Sequence, residues 1–397
     1  MSEPVLPIEV LSCVLEHIDH QRDLCSISLA SRGLRLEGQR VLFCDPGPLM
    51  IGLFEGARHN SFLDAIINSP YRLAPTVRVH EQHITYEYLH PSGEEFLDVI
   101  SVEEEKMLGV IINKAIQALR LMVNLKTLKL LLHGNSLQYF FVGHPLASAL
   151  PECTFKLRTF TWDHFGHEKR LLQEFLPLQP GITELQIPRD RPRRTSIIDR
   201  PVTGICSQLE SLSSSCAVSV HLLKERRGSL KYLRWTTAYS LEPISDISQI
   251  APGLVAVQLL DYSCAFRDPS LLIIAPTLVS LVVLRLTVEV GSTGWYESAH
   301  PFVLDALPCL KILIWSFKGD NSDIVRAGGV ARTAFFLSKS LHYVDVQTEL
   351  TTSRYIRVFD DVTASQTEPE VISDEEIQYC WDNRQRFLRM TEEVYAD

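Results

Sequence analysis

One short phrase, apolar-x-x-apolar-x-apolar, returns nine times and limits what this chain can fold into. Copies begin at Leu125, Leu157, Ile182, Leu209, Leu230, Leu254, Leu278, Leu310 and Leu341, at separations of 21 to 32 residues. Examples are LKTLKL from Leu125, LKYLRW from Leu230, LVAVQL from Leu254 and LKILIW from Leu310. A second mark keeps the same register. Pro180, Pro252, Pro276 and Pro308 each stand two residues before the first apolar residue of their copy, and Gly228 holds that place before Leu230. Proline and glycine stop a helix and suit the turn that follows it. Each unit therefore reads helix, stop, short strand. One such unit cannot bury its own apolar face, whereas stacked neighbours bury one another's.

Self-similarity at this period is the pattern of a leucine-rich-repeat solenoid. The expected class is α/β: a small helical module, then a curved solenoid with a parallel sheet, closed by a C-terminal capping helix. The irregular spacing, and the lack of the usual asparagine after the strand, mark the repeats as degenerate. The expected divisions are 1–48 for the helical module, 49–121 for a join, 122–350 for the array and 351–397 for an acidic segment and cap. In the join, Leu73 to Val79 reads as a worn first strand and residues 80–98 as an inserted loop. SFLDAIIN from Ser61 reads as a helix. Ser101 with Glu104 opens another, with Leu108, Ile111, Ile112, Ala115 and Leu119 on its core face. In the tail, Ser373-Asp374-Glu375-Glu376 starts a helix carrying Ile377, Cys380, Trp381 and Leu388.

Charge and cysteine usage narrow the function. A net charge of −10 argues against a general nucleic-acid binder, which needs a basic footprint. The nine cysteines are odd in number and form no CxxC pair, which fits reduced thiols in cytoplasm or nucleus better than a disulfide framework. The N-terminal MSEPVLPIEV lacks the basic and apolar regions of a signal peptide. The most apolar window, Pro269 to Leu284, is shorter than the roughly 20 residues a bilayer requires. No phosphate-binding loop, dinucleotide fingerprint or nucleophile elbow is present, so no catalytic residue or cofactor is assigned. His80 with His83, and His164 with His167, share HxxH spacing without the HExxH pattern or a nearby cysteine pair. No metal is expected, and these histidines are expected at the surface.

The first 48 residues read as a compact set of short helices. Pro7 suits a first helical turn, and Val10, Leu11, Val14, Leu15 and Ile18 follow at helical spacing. Asp23 can cap a second helix with Leu24, Ile27 and Leu29, and a third segment carries Arg32, Arg35 and Arg40. LPIEVLSCVLEHI followed by RDLCSISLASRGLR resembles an F-box, through Leu6-Pro7, Glu9, Val10-Leu11, Asp23-Leu24 and Ser28 to Arg32. Many F-box proteins, notably fungal ones, carry degenerate leucine-rich repeats behind the box. Gly33-Leu34 departs from the aromatic residue many boxes have there. The resemblance implies docking on the Skp-type adaptor of a cullin–RING ubiquitin ligase through Leu6, Pro7, Ile8, Leu11, Leu24 and Leu29, while the repeats hold a target protein. The alternative is a repeat scaffold outside any ligase. Neither needs nucleic acid or membrane.

Side chains alternate along a strand, so the third and fifth positions of the phrase, and the one after, should reach the open face. That set is polar early and turns apolar from Leu260 to Ile314. The candidate target-binding residues are Tyr232, Arg234, Gln258, Leu260, Val282 and Ile314. Two readings stay open. One is a target pocket beside Tyr232 and Arg234, residue types common at binding hot spots. The other is an apolar patch covered by a loop or by the C-terminal tail. The run Arg189, Arg191, Arg193, Arg194 reads as a rim loop, with an acidic or phosphorylated target segment as its sharper use.

Overall fold

Strands form where alternate apolar side chains can bury one face of a short extended segment. The computed structural model of the chain describes residues 7–18, 20–51, 56–85, 102–133, 140–164, 167–187, 205–224, 228–236, 247–265, 270–289, 300–318, 324–347, 352–357 and 370–373. It is a mixed α/β structure with mostly parallel strands. Two compact units divide it, Met1–Arg189 with Ile205–Ser207 and Asp190–Gly204 with Gln208–Asp397. The division falls inside the stretch expected to be one array.

Unit 1 opens with three helices, α1 (Ile8–Glu16), α2 (Gln21–Ala30) and α3 (Arg32–Cys44). Its strands are β1 (Pro48–Ile51), β2 (Val79–Thr85), β3 (Thr127–His133), β4 (Thr159–Asp163) and β5 (Glu184–Ile187), paired in parallel in chain order. Helices α4 (Gly56–Asn68), α5 (Val102–Leu121) and α6 (Phe140–Ala149) fall between them. The residues expected on the core face of α5 are all buried.

Unit 2 continues the plan with β6 (Ser211–Ser215), β7 (Tyr232–Thr236), β8 (Leu259–Ala265), β9 (Val283–Glu289), β10 (Ile312–Lys318) and β11 (Tyr343–Gln347), again parallel neighbours in chain order. Two antiparallel strands follow, β12 (Thr352–Ile356) and β13 (Glu370–Ile372). Neither was anticipated in the tail. The tail helix from residue 374, Leu6 and the arginine run lie outside the described residues.

Strand pairing fixes which face each side chain takes. In unit 2 one row runs Leu212, Leu233, Leu260, Leu284, Leu313, Val344, and the next runs Ser214, Trp235, Tyr262, Leu286, Trp315, Val346. All are at most 2% exposed. This is the helix side: Ser214 shares a 2.6 Å hydroxyl bond with Ser219 of the helix Cys216–Leu223. Unit 1 repeats it, with Phe160 of β4 edge-on to Phe175 at 5.0 Å.

The register corrects two repeats. Leu233 pairs with Leu260 and Leu260 with Leu284, so the phrases begin at Val257 and Leu281, three residues later than Leu254 and Leu278. Leu254 ends the turn Ala251–Leu254, and Leu278 closes the turn Ala275–Thr277. An odd slip exchanges the two faces of a strand. Leu260 is therefore on the helix side, not the open one. Proline's role is likewise more specific than a stop. Pro75, Pro151, Pro177, Pro252 and Pro276 sit at the start of short helical turns, where the fixed φ is favourable and no N–H is needed.

The worn strand expected at Leu73–Val79 is also displaced. Ala74–Thr76 is a 3-10 turn, and the strand runs from Val79 into residues read as loop. His80 and Gln82 occupy places held by leucine in β3, where His80 pairs with Leu128 and Gln82 with Leu130. Polar residues there hid the alternation. His80 and His164 are buried rather than superficial. No helix among the described residues is long and apolar enough to cross a membrane.

Candidate functional site

The helical trio is built on a close helix crossing. A Cβ on Gly38 of α3 would stand 2.2 Å from Ser28 Oγ of α2, so a larger residue there would force the Ser28 hydroxyl to move. Ser28 turns its hydroxyl to Leu24 O at 2.7 Å. Ser31 caps α3, accepting from Leu34 N at 3.2 Å. A polar network ties α1 to α3: Ser12 Oγ donates to Glu37, while Arg40 donates to Glu37 and, at 2.6 Å, to Glu16. Burial opposes the charge on Glu37, but the Ser12 hydroxyl and Arg40 outweigh it and hold that carboxyl below its usual range.

The trio is fixed to the rest of unit 1. Gln21 Nε2 donates to Pro46 O at 2.8 Å, and Arg58 of α4 donates to Gln21 Oε1 and Pro46 O at 2.6 and 2.7 Å. Arg78 N donates to Cys44 O at 2.9 Å, and the Phe43 and Phe62 rings stack at 5.6 Å.

The five described residues of the six expected at the adaptor interface separate. Leu24 is 4% exposed and belongs to the trio's own core with Leu15. Leu11 is half-buried, and Pro7 is exposed at the start of α1. Ile8 is the first residue of that helix. Leu29 is 76% exposed. Val10, Val14 and Leu36 are exposed too. Leu36 was not singled out in the sequence, since helical spacing alone does not tell a core leucine from a surface one.

The second sheet face of unit 2, opposite the helices, is graded in three rows. The first is Ser211, Tyr232, Leu259, Val283, Ile312, Tyr343; the second Ser213, Arg234, Asp261, Arg285, Ile314, Asp345; the third Ser215, Thr236, Ser263, Thr287, Ser316, Gln347. Tyr232, Leu259, Val283, Ile312 and Ile314 form a buried cluster that includes Ile372 of β13, with Val282 and Tyr343 packed against it. The apolar part of this face is thus closed, and a residue of the tail takes part in closing it. In the second row Arg234, 48% exposed at its side chain, pairs with nearly buried Asp261 at 3.0 Å. Arg354 of β12 grips buried Asp345 through two bonds of 2.8 and 2.9 Å. In the third row Ser316 donates to Gln347 Oε1 at 2.7 Å.

Of the six expected target-binding residues, Tyr232, Val282 and Ile314 therefore meet in one cluster. Arg234 lies in the adjoining row. Gln258 precedes β8, its N–H donating to Lys231 O at 2.8 Å. Leu260 is on the other face. The charged row was missed because the two slipped repeats hid Asp261 and Arg285. What remains partly open is Arg234, Thr236, Ser263, Arg285 and Gln347: guanidinium, hydroxyl and amide groups suited to hydrogen-bonding a partner.

Among the described residues no three His, Cys, Asp or Glu side chains converge as a metal site would need. A polar groove of about 570 Å³ lies between α5 and α6, lined by Asn113, Gln117, Arg120, Ser148 and Glu152. There Arg120 pairs with Glu152, and Ser148 accepts from Arg170. No family model matches the chain, and a search of curated proteins found no match.

Proposed function

We propose that this chain is the substrate-recognition subunit of a cullin–RING ubiquitin ligase, a non-catalytic receptor acting inside the cell. Its helical trio is an F-box that docks a Skp-type adaptor, and the strand-bearing units form a degenerate leucine-rich-repeat solenoid that holds a target protein. The observation that carries this reading is the trio's division of apolar residues. Leu15 and Leu24 close its interior, while Leu29, Val10, Val14 and Leu36 are left facing outward. An exposed apolar set on a small module attached through Gln21, Arg58 and Pro46 is suited to gripping another protein. The free thiols of Cys13, Cys25, Cys44, Cys153, Cys206 and Cys309 support an intracellular setting.

The test is calorimetry of the full chain with a Skp-type adaptor. Leu29→Asp should weaken binding by about 100-fold, the scale of one interface hot spot, and leave the melting transition in place. Val10→Asp with Val14→Asp should act the same way. Leu24→Ala should instead destabilise the trio by about 2–4 kcal/mol. Absence of adaptor binding by the wild type, or equal binding by the Leu29 variant, would favour a scaffold outside any ligase.

On the target side, the accessible part of the second face points to a hydrogen-bonded partner segment rather than an apolar plug. Arg234→Ala should reduce recovery of a captured target several-fold in affinity isolation with ligase activity blocked. Tyr232→Ala should disturb stability first, because its ring is buried.

A further inference from the structure

The core of unit 1 contains an anomaly that the receptor reading does not use. His59 on α4, and His80 and Gln82 on β2, are fully buried. Neither imidazole nitrogen of either histidine, and neither polar atom of the amide, has a partner in full hydrogen-bond geometry, although the Gln82 side chain stands close enough to His80 to interact with it. Buried polar atoms are almost always paired, and unpaired ones call for an explanation such as a bound water or ion. Here six such atoms belong to three neighbouring residues.

We propose that His59, His80 and Gln82 form a buried site for one zinc-class transition-metal ion. The two ring centroids lie 6.0 Å apart. Two imidazoles sharing one ion through bonds of about 2.0–2.1 Å place their centroids roughly 5–6.5 Å apart. Gln82 follows His80 by two residues on the same strand, so its amide oxygen is presented on the same face. Two imidazoles and an amide oxygen favour zinc, copper or nickel over magnesium or calcium. Metal ligation needs neutral imidazole. Burial, and repulsion from His80, press His59 down to about 3, and burial presses His80 down to about 4 although Gln82 tempers that shift. Phe62 of α4 stacks on the His80 ring at 5.9 Å and walls the site with an apolar surface. With no exposed ligand, the ion would be taken up as unit 1 folds and would pin α4 to β2.

The inference does not rest on the ligase reading. Its test uses the full chain, stripped with a chelator and titrated with Co(II) and Zn(II), with Mg(II) as control. The expected result is one equivalent of Co(II) with a ligand-field spectrum, displaced by Zn(II), and a melting point raised by Zn(II) but not by Mg(II). Gln82→Leu should weaken binding roughly tenfold or more, and His59→Phe with His80→Leu should abolish it. Should the histidine variants fail to fold, the Gln82 variant and the wild-type spectrum still decide the matter. A wild type that takes up no Co(II) overturns the proposal and leaves a water-filled polar core. Undiminished uptake by the Gln82 variant or the histidine pair overturns it as well.

Discussion

Trp235→Ala should destabilise unit 2 by about 3–5 kcal/mol, the usual cost of emptying a large aromatic site in a packed core. Trp235 is fully buried on the helix side of β7, edge-on to Tyr262 of β8 at 6.0 Å. Its position in the phrase is filled by Trp162 in unit 1 and by Trp315 on β10, both also buried. Each large ring is thus buried on the helix side of its strand. Removing one leaves a cavity that neighbouring leucines, held by their own strands, cannot close. Trp235→Phe should cost far less, roughly 1–2 kcal/mol. It keeps an aromatic ring and removes an indole N–H that has no partner. Denaturant unfolding, with hydrogen exchange on β7 to β9, reads both. An alanine variant within about 1 kcal/mol of wild type would mean that this ring is not core.

Asp345→Ala should be nearly as damaging, at about 3–5 kcal/mol. Asp345 and Arg354 are direct partners across the antiparallel β11–β12 pair. The carboxylate is fully buried and the guanidinium nearly so. The fork meets both carboxylate oxygens, and the guanidinium also lies 5.7 Å from the centre of the Tyr343 ring. Such a pair adds little net stability over an apolar substitute, but removing one member strands the other charge in a dry site. Asp345→Ala should therefore be worse than a double change to Asp345→Leu and Arg354→Met, and β12 should lose exchange protection first. If the single and double variants melt together, the pair is not what seats β12. The consequence reaches the second sheet face, because β12 carries β13, and β13 supplies the Ile372 that helps close the apolar row.

The proposed adaptor surface is only partly legible in the sequence. Leu29 and Pro7 were named and are exposed, whereas Leu24 faces inward. Helical spacing places apolar residues on a face but does not say whether a neighbour covers that face. Here the Gly38–Ser28 crossing decides which side of α2 is covered. The proposed target face is less legible. LVAVQLLDY satisfies the repeated phrase in two registers, and only the pairing of Leu260 with Leu233 selects between them. That choice determines whether Asp261 and Arg285 face the helices or the opposite side.

The sequence by itself determined that a strand follows each turn and that most of these strands lie in chain order, because apolar alternation and proline placement act over a few neighbouring residues. Periodicity also determined the first two helices of the trio and most of α5, whereas Asp23 lies in the first turn of α2 and does not cap it. Only the tertiary structure decided the register of the repeats at Val257 and Leu281, the strand holding His80 and Gln82, the antiparallel β12 and β13, and the closure of the Tyr232 row. Each of those depends on partners far away in the chain. A backbone that pairs sideways can accept a polar residue at a leucine position, or reject an equally apolar frame, for reasons no local window contains.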